Sequence, residues 1–356
     1  MIIPKIRVLV VDDSALIRKI LCLMIESDSH FELVGCADNG KKALELCVVT
    51  KPDVVSMDVN MPEIDGVEAT RQIMEQNPTP IVIVSGFYQP SEVELAIRVL
   101  EAGAVYIMEK PFSPGHPNYE SSKRNYLNAL KLMSEVKVVR RRIKTPTETK
   151  VQFPKPELSV SVPTNTDFEV LLIGASAGGP ESVRRLLENI SPQFPLPVVF
   201  VQHIDPHFAD GFVTWLNSYS KLEVLIAADN QTLECGKVYM PPGKSHIEIK
   251  ANKTVRLLPA SSKTELIPSV NRLFESAVGV FGNKTIAVLL SGMGKDGAEM
   301  MKKLHTAGAL TYAQDEKSCL VFGMPYEAIK LKAVTKVLSP NEIAIDICSV
   351  IENKSH

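Results

Sequence analysis

The alternation of short apolar runs with helical periodicity over residues 5–112 restricts the fold more than any other feature of this chain. β-Branched runs at residues 6–11, 31–36, 54–57, 81–84 and 105–108 predict five strands, and helical spacing of apolar residues fills the intervals. Strands separated in this way pair in parallel and place helices on both faces, which gives a doubly wound sheet. Functional side chains in such sheets gather at the carboxyl ends of the strands.

Polar residues stand at those carboxyl ends. Asp12 and Asp13 follow the first predicted strand, Asp58 the third, Ser85 the fourth and Lys110 the fifth. Converging carboxylates repel one another unless a cation lies between them, and oxygen ligands of this kind suit Mg2+. Taken singly, each aspartate is better explained as a helix cap or a turn residue. Their joint occurrence favours a site that holds a cation and a phosphoryl group on a carboxylate.

The same residues lie in Val-Asp12-Asp13-Ser-Ala, Asp58-Val-Asn60-Met-Pro, Val-Ser85-Gly and Glu-Lys110-Pro, and with these motifs residues 5–112 resemble a response-regulator receiver domain. The resemblance implies a flavodoxin-like unit in which Asp58 accepts a phosphoryl group from a histidine-kinase partner. It implies that Ser85 and Lys110 are switch residues. The ligands that it implies for Mg2+ are Asp12, Asp13, Asp58 and the carbonyl of Asn60.

Two places depart from the receiver pattern. Ile107 occupies the position, three before the lysine, where the family usually carries an aromatic switch residue. This argues against signalling by an aromatic rotamer but leaves phosphorylation intact. The stretch 87–90, which reads Phe-Tyr-Gln-Pro, follows Ser85 and is expected to reshape the signalling face.

The segment that joins the two halves has two parts. Apolar positions such as Leu127, Leu130 and Met133 recur at helical spacing, which predicts a helix from Ser121 to Arg142. Prolines then interrupt a stretch without periodicity up to about residue 167, which predicts a semi-extended linker. The basic run 140–144 is either a docking patch for an acidic partner or, more simply, solvated charge at a helix end.

A second strand-turn-helix signal begins at residue 171, where an apolar run meets Gly174-Ala-Ser176-Ala-Gly178. The spacing G-x-S-x-G is typical of a nucleophile elbow, in which a sharp turn exposes a serine hydroxyl above the sheet. A phosphate-binding loop has a similar outline, although no G-x-G-x-x-G fits residues 174–180. A serine nucleophile also requires a base, so the choice depends on the rest of the chain.

His203 and Asp296 are the candidate partners of Ser176. His203 directly follows a compact apolar run from Pro197, and Asp296 lies in a glycine-rich turn after the run 285–290. A histidine at a strand end could act as base, and an acid could fix its tautomer. Weaker rivals are His207 for the base and Asp205 or Asp210 for the acid.

The second half resembles the catalytic domain of the protein-glutamate methylesterases of chemotaxis, the CheB family. The resemblance covers about residues 168–350 and rests on motifs around Ser176, His203 and Asp296, and on Tyr-Met-Pro-Pro-Gly and Ser-Cys-Leu-Val-Phe-Gly-Met-Pro. It implies that Ser176 is the nucleophile, His203 the acid-base group and Asp296 its orienting acid. The backbone amides of Ala177 and Met293 are the implied oxyanion donors. Asn271 stands where the family usually has aspartate, which is expected to alter a supporting hydrogen bond without abolishing chemistry.

The chain length of 356 residues suggests about two domains, and the boundaries predicted are 1–120 for the receiver, 121–167 for the helical extension and linker, and 168–350 for the catalytic domain. The formal charge of −2 gives no overall attraction to nucleic acid. Without a signal-peptide pattern or a membrane-length apolar run, a cytoplasmic protein is expected. The six scattered cysteines predict neither zinc nor structural disulfides.

Together these features predict two doubly wound α/β domains and a phosphorylation-controlled hydrolase. The resemblance implies that Ser176 demethylates glutamyl methyl esters of chemoreceptors, that it could deamidate receptor glutamines, and that the hydrolytic site needs no cofactor. One alternative is a phosphorylation-gated nucleotide-binding module without catalysis. A transcription factor is a further alternative, although no helix-turn-helix pattern follows the linker.

Overall fold

The computed structural model describes residues 4–86, 95, 98–136, 138, 168–259 and 266–352. The stretch 87–90, the basic run 140–144 and the proline-containing linker lie outside these ranges. No helix in the described ranges is long and apolar enough to cross a membrane.

The first sheet has five parallel strands in the order β2-β1-β3-β4-β5. The strands are β1 (Ile6–Val11), β2 (Phe31–Ala37), β3 (Val54–Met57), β4 (Ile81–Ser85) and β5 (Tyr106–Glu109). β3 and β4 are buried along their whole length, because helices cover both faces of the sheet. The predicted doubly wound architecture is therefore present in this half of the chain.

Short polar side chains start the helices of the first sheet, as the sequence predicts. The helices are α1 (Ala15–Glu26), α2 (Gly40–Thr50), α3 (Gly66–Gln76) and α4 (Tyr119–Ser134), and residues 98–102 are also helical. Ser14, Asn39 and Asp65 cap the first three through side-chain oxygens that accept backbone N–H groups. Asp65 is therefore a helix N-cap.

The predicted helix from Ser121 to Arg142 is wrong at its carboxyl end. α4 ends at Ser134, and Glu135 is its C-cap. The helix packs on the first sheet, where the Tyr126 hydroxyl donates to Ser56 Oγ at 2.9 Å. The apolar periodicity therefore reports burial against this sheet, where Leu130 and Met133 are buried.

The second sheet has seven parallel strands in the order β14-β13-β12-β6-β7-β9-β8. The strands are β6 (Val170–Ala175), β7 (Val198–Gln202), β8 (Glu223–Ile226), β9 (Lys237–Met240), β12 (Thr285–Leu289), β13 (Leu310–Gln314) and β14 (Lys336–Leu338). A separate antiparallel hairpin joins β10 (Ser245–Ile249) to β11 (Val255–Pro259). The sequence did not predict this hairpin.

Within the described part of the second half, six α-helices accompany the sheet. They are α5 (Gly179–Glu188), α6 (Ala209–Asn217), α7 (Val270–Val278), α8 (Ala298–Thr306), α9 (Met324–Lys330) and α10 (Pro340–Glu352). The chain runs outward from β6 in both directions, so the strand order reverses between β6 and β12. Ligands of open α/β sheets bind at such a reversal, beside the carboxyl ends of the strands.

The two halves pack against each other through apolar and polar contacts. Ala177, Phe208, Leu320 and Val321 belong to the same buried cluster as the core of the first sheet. Glu101, at the end of the 98–102 helical segment, accepts hydrogen bonds from Trp215 Nε1 at 3.0 Å and from the Tyr219 hydroxyl at 3.1 Å. The surface of the second domain around Ser176 is therefore covered by the first domain.

Candidate active site

Ser176 lies in the turn between β6 and α5, directly after a fully buried strand of the second sheet. All six residues of β6 are buried, and the turn leads at once into a helix whose first turn carries Pro180. The amide of Ser176 donates to the carbonyl of Ser291 at 3.0 Å, and its carbonyl accepts the amide of Gly179 at 2.8 Å. Both backbone groups of the serine are thereby fixed, as an elbow requires.

Three glycines around Ser176 are required by close packing. Gly178 has a φ of +70°, and a Cβ there would lie 2.5 Å from Leu320 Cβ. A Cβ on Gly174 would lie 2.3 Å from a Val270 methyl group. A Cβ on Gly292 would lie 2.8 Å from Ser176 Cβ. Gly292 thus lets the 291–297 loop approach the serine.

His203 and Asp296 meet beside Ser176. His203 follows β7, and its backbone N–H donates to the carbonyl of Ala175 at 3.0 Å. Its Nε2 lies 2.9 Å from Asp296 Oδ2, and both side chains are 9% exposed. Nδ1 is therefore the ring nitrogen that remains to accept a proton from a donor. In the described residues Ser176 Oγ makes no hydrogen bond to His203, although both residues line the same cavity.

Asp296 is held by a cradle of donors at the amino end of α7. Its Oδ1 accepts from the Ser269 hydroxyl at 3.0 Å and from the Asn271 amide at 2.9 Å, while Oδ2 accepts from the Val270 amide at 2.7 Å. Burial by itself would raise the pKa of Asp296, but the bonds from His203 and these amides hold the pKa below its usual value. The carboxylate therefore stays ionised and fixes the imidazole.

Asn271 supports the same cradle from its side chain. Its Oδ1 accepts the backbone N–H of Gly297 at 3.0 Å, which ties the start of α7 to the loop that carries Asp296. Gly297 has a φ of +88°, a conformation that favours glycine. An acceptor oxygen is all that this bond requires, so asparagine satisfies it as aspartate would.

Gln202 joins the turns of Ser176 and His203. It ends β7, is 1% exposed, and its Nε2 donates to the carbonyl of Ser176 at 2.7 Å and to that of His203 at 3.1 Å. A Cβ on Gly179 would lie 2.5 Å from Gln202 Oε1. The sequence alone does not single out Gln202, because a glutamine beside a histidine at a strand end carries no signal for the direction of its side chain.

The oxyanion donors predicted at Ala177 and Met293 lie on the two loops beside Ser176. Ser291 connects these loops, because its Oγ donates to the carbonyl of Ala177 at 2.9 Å and accepts the amide of Val321 at 3.0 Å. No acceptor within the described ranges takes the backbone N–H of Ala177 or Met293. Both groups are therefore available to a substrate oxygen.

The rival residues lie elsewhere. His207 is exposed, and its Nδ1 lies 3.0 Å from Asp205 and 3.6 Å from Glu109 of the first domain. Asp205 also caps the short 3-10 helix that follows, and Asp210 lies exposed in the first turn of α6. Neither acid contacts His203 through a hydrogen bond in the described structure.

The predicted phosphorylation site has an ion-paired centre at the carboxyl edge of the first sheet. Lys110 Nζ lies 2.8 Å from Asp12 Oδ2 and 2.7 Å from Asp58 Oδ2. Burial raises the pKa of Asp58 to about 6, although Lys110 opposes this rise. Burial also raises the pKa of Asp12. Two buried carboxylates against one ammonium leave a surplus of negative charge.

The carboxylates of this site suit Mg2+. Asp12, Asp13 and Asp58 each place a possible ligand oxygen within 4.8 Å of the others. Hard oxygen donors and uncompensated negative charge are what this cation requires. Asn60 lies exposed two residues after Asp58. Ser85 is 3% exposed, and its carbonyl accepts the Lys110 amide at 3.0 Å.

One cavity of about 640 Å³ lies between the two sites and is lined by both domains. The first domain contributes β5, Lys110 and the polar face of α4, whereas the second contributes Ser176, His203 and Met293. Ile107 is 2% exposed and lines a smaller gap beside Ser176, Ala177 and Pro180. Lys110 thus connects directly to Asp58 on one side and to the Ser176 cavity on the other.

Comparison with known proteins identifies the families of both domains. A family model described as CheB methylesterase matches residues 171–347, and one described as response regulator receiver domain matches residues 8–116. The protein-glutamate methylesterase/protein-glutamine glutaminase 3 of Hahella chejuensis is 44% identical over 342 residues, which cover 95% of this chain and 96% of the relative. This chain belongs to the CheB methylesterase family.

Another full-length relative and the structure of an isolated catalytic domain also match this chain. A protein-glutamate methylesterase/protein-glutamine glutaminase of Geobacter metallireducens is 41% identical over 350 residues, 98% of this chain and 100% of the relative. The crystal structure of the Thermotoga maritima CheB catalytic domain is 35% identical, covers 52% of this chain and 98% of that one, and has a TM-score of 0.49. The methylesterase and receiver matches fall on the two parallel sheets, so the CheB family order is preserved along the chain.

Proposed function

We propose that this chain is a phosphorylation-activated hydrolase that demethylates glutamyl methyl esters on the cytoplasmic regions of chemoreceptors and also deamidates glutamines there. The observation that carries the proposal is the 2.9 Å contact of His203 with Asp296 at the strand-order reversal where Ser176 lies half-buried beside the interdomain cavity. The names of the relatives, which state both activities, support the choice of substrate. Nothing in the comparisons favours a nucleotide-binding module.

In the hydrolysis, His203 Nδ1 takes the proton of Ser176 as Oγ attacks the ester carbonyl carbon. Asp296 keeps its charge and stabilises the imidazolium that forms. The amides of Ala177 and Met293 bind the developing oxyanion. His203 then returns the proton to the departing methoxide, which leaves as methanol, and an acyl-serine remains. Water, activated by His203, hydrolyses the acyl-serine to glutamate; with a glutamine substrate the leaving group is ammonia.

Control by the receiver follows from the position of Lys110. We propose that a histidine kinase of the chemotaxis pathway phosphorylates Asp58, with Mg2+ held by Asp12, Asp13, Asp58 and the Asn60 carbonyl. Mg2+ would offset the negative charge of the phosphoryl group during its transfer. A phosphoryl group on Asp58 would add oxygens that bind the Ser85 hydroxyl and the ammonium of Lys110, and Lys110 also lines the cavity between the domains. The receiver then loosens from the Ser176 cavity, and a receptor helix gains access.

The test measures methanol release from methylated chemoreceptor membranes by the native chain and by Ser176→Ala, with and without acetyl phosphate and Mg2+. We expect Ser176→Ala to lose about three or more orders of magnitude in rate, as triad nucleophiles do. We expect the native chain to be stimulated by the phosphodonor and Asp58→Asn not to be. Ser218→Ala, on the surface after α6, is the matched serine control.

Different failures contradict different parts of the proposal. No methanol from a folded, phosphorylated native chain would exclude the esterase activity on this substrate. Methanol release that survives Ser176→Ala would exclude the assigned nucleophile. Release at the same rate with and without the phosphodonor would leave the hydrolase in place and exclude the switch. Nucleotide binding that survives Ser176→Ala would favour the non-catalytic alternative.

A further inference from the structure

Two cysteine side chains meet in the receiver, on the side of the sheet away from α2. Cys22 lies on α1 and Cys36 on β2, and their sulfur atoms are 3.0 Å apart. The Cβ position of the neighbouring Gly35 faces Leu46 of α2. Successive residues of a strand face opposite sides of the sheet, so Cys36 faces the other side, where α1 packs. The contact is therefore fixed by two packed elements.

The distance between these sulfurs is about 1 Å longer than a disulfide bond. Both thiols are half-buried, so a small oxidant has access to the pair. The other four cysteines differ in setting: Cys47 and Cys319 are buried, Cys348 is half-buried, and Cys235 is exposed in a loop. All six belong to the described residues, and none is bonded to another.

We propose that Cys22 and Cys36 form a reversible intramolecular disulfide when the protein meets a peroxide, which makes this pair a redox modification site. This inference is independent of the proposed hydrolase function. The bond would tie the second half of α1 to the edge strand β2 and enclose residues 23–35. Neither cysteine contacts Asp58 or Lys110 through a hydrogen bond in the described structure, so phosphorylation should persist in the oxidised form.

The reaction proceeds in two balanced steps. The thiolate of one cysteine attacks a peroxide oxygen, the O–O bond breaks, hydroxide leaves, and a sulfenic acid forms. The second sulfur attacks the first, the S–O bond breaks, and water leaves as the S–S bond forms. For hydrogen peroxide the sum is two thiols and one peroxide giving one disulfide and two waters.

Burial of the attacking thiol affects the rate of the first step. Burial, together with the hydrogen bond to Cys36, raises the pKa of the Cys22 thiol. The thiolate is the reactive form, so attack by Cys22 on the peroxide is slow at neutral pH and accelerates as the pH rises. Once one sulfur is oxidised, the adjacent thiol closes the bond without any domain movement.

The test treats the full-length native chain with hydrogen peroxide, and measures free thiols after denaturation and disulfide-linked peptides by mass spectrometry. We expect the thiol count to fall from six to four, a linked peptide pair that contains Cys22 and Cys36, and reversal by dithiothreitol. The thermal midpoint of the oxidised chain should rise by several degrees, because a cross-link restricts the unfolded state. The peroxide-dependent rise should be absent in Cys22→Ser and in Cys36→Ser.

Cys235→Ser is the matched control, because it removes the exposed thiol and should leave the 22–36 linkage unchanged. The proposal is overturned if peroxide leaves Cys22 and Cys36 as separate thiols or sulfinic acids. It is also overturned if disulfides form between other cysteines before this pair. Disulfide mapping of the native chain by mass spectrometry tests the proposal even if a serine variant fails to fold.

Discussion

At the scale of single residues, the site depends on side chains that hold backbone groups as much as on the three that would perform chemistry. Asp296 could be chosen from the sequence because an acid in a glycine-rich turn is conspicuous. The Ser269 hydroxyl and the backbone amides of Val270 and Asn271 could not be chosen, because their contribution arises from the approach of α7 to the 291–297 loop. Gln202 likewise could not be chosen, because its role arises from the approach of the Ser176 and His203 turns.

Gln202→Leu should slow hydrolysis through misplacement of the nucleophile. The substitution removes the two bonds, at 2.7 and 3.1 Å, that join the carbonyls of Ser176 and His203. A small displacement of reacting groups can cost up to about 100-fold in rate. We therefore expect kcat of the phosphorylated enzyme to fall by about 10- to 100-fold with little change in KM. Gln193→Leu, at an exposed position, is the control, and equal kcat values for the two variants would contradict the positioning role.

The buried charge at Asp58 predicts the pH dependence of receiver phosphorylation. A carboxyl group must be ionised to attack phosphorus, and burial raises the pKa of Asp58 to about 6. Phosphorylation by acetyl phosphate should therefore fall as the pH drops through about 6. Bound Mg2+ favours the ionised form, so a higher Mg2+ concentration should move the midpoint to lower pH. A midpoint near 4 that is insensitive to Mg2+ would contradict this account of the site.

At the scale of elements, sequence patterns predicted the strands better than the connections between them. Five apolar runs of the receiver coincide with its strands within one residue at each end, because a strand buried on both faces must be apolar along its length. The starts of α1 and α2 could also be predicted from the sequence, because Ser14 and Asn39 cap these helices with their own side chains. The end of α4 and the β10–β11 hairpin depend on distant partners, which no local pattern records.

The contact between the 98–102 helical segment and α6 should hold the receiver on the catalytic domain. Glu101→Ala removes the acceptor shared by Trp215 and Tyr219. Hydrogen bonds to a charged group contribute about 1.5 kcal/mol or more, which corresponds to roughly tenfold in the closed-to-open ratio. We expect methanol release from receptor membranes without phosphodonor to rise by up to about tenfold. Glu45→Ala, at an exposed position on α2, should leave this rate unchanged; no difference between the variants would exclude the contact as a restraint.

At the scale of the whole molecule, the two sheets present their carboxyl edges to a common cavity. Sequence patterns could place Asp58 and Ser176 at the edges of their own sheets, because strand-end rules act within one domain. They could not place the two edges together, because the apolar cluster that unites Ala177 and Leu320 with the receiver core draws on residues far apart in the chain. The proposed communication between the sites therefore depends on the assembled pair of domains.

Trp215 gives this assembly an intrinsic optical signal. It is the one tryptophan of the chain and is 8% exposed. Its indole N–H donates a hydrogen bond to the carboxylate of Glu101 in the receiver. Release of the receiver would remove the Glu101 partner of the indole N–H and expose that edge of the ring to water. Tryptophan emission should then shift to longer wavelength when acetyl phosphate and Mg2+ are added, and should not shift in Asp58→Asn. A constant spectrum during full phosphorylation would show that the domains stay joined at α6, so stopped-flow fluorescence can time domain release without any label.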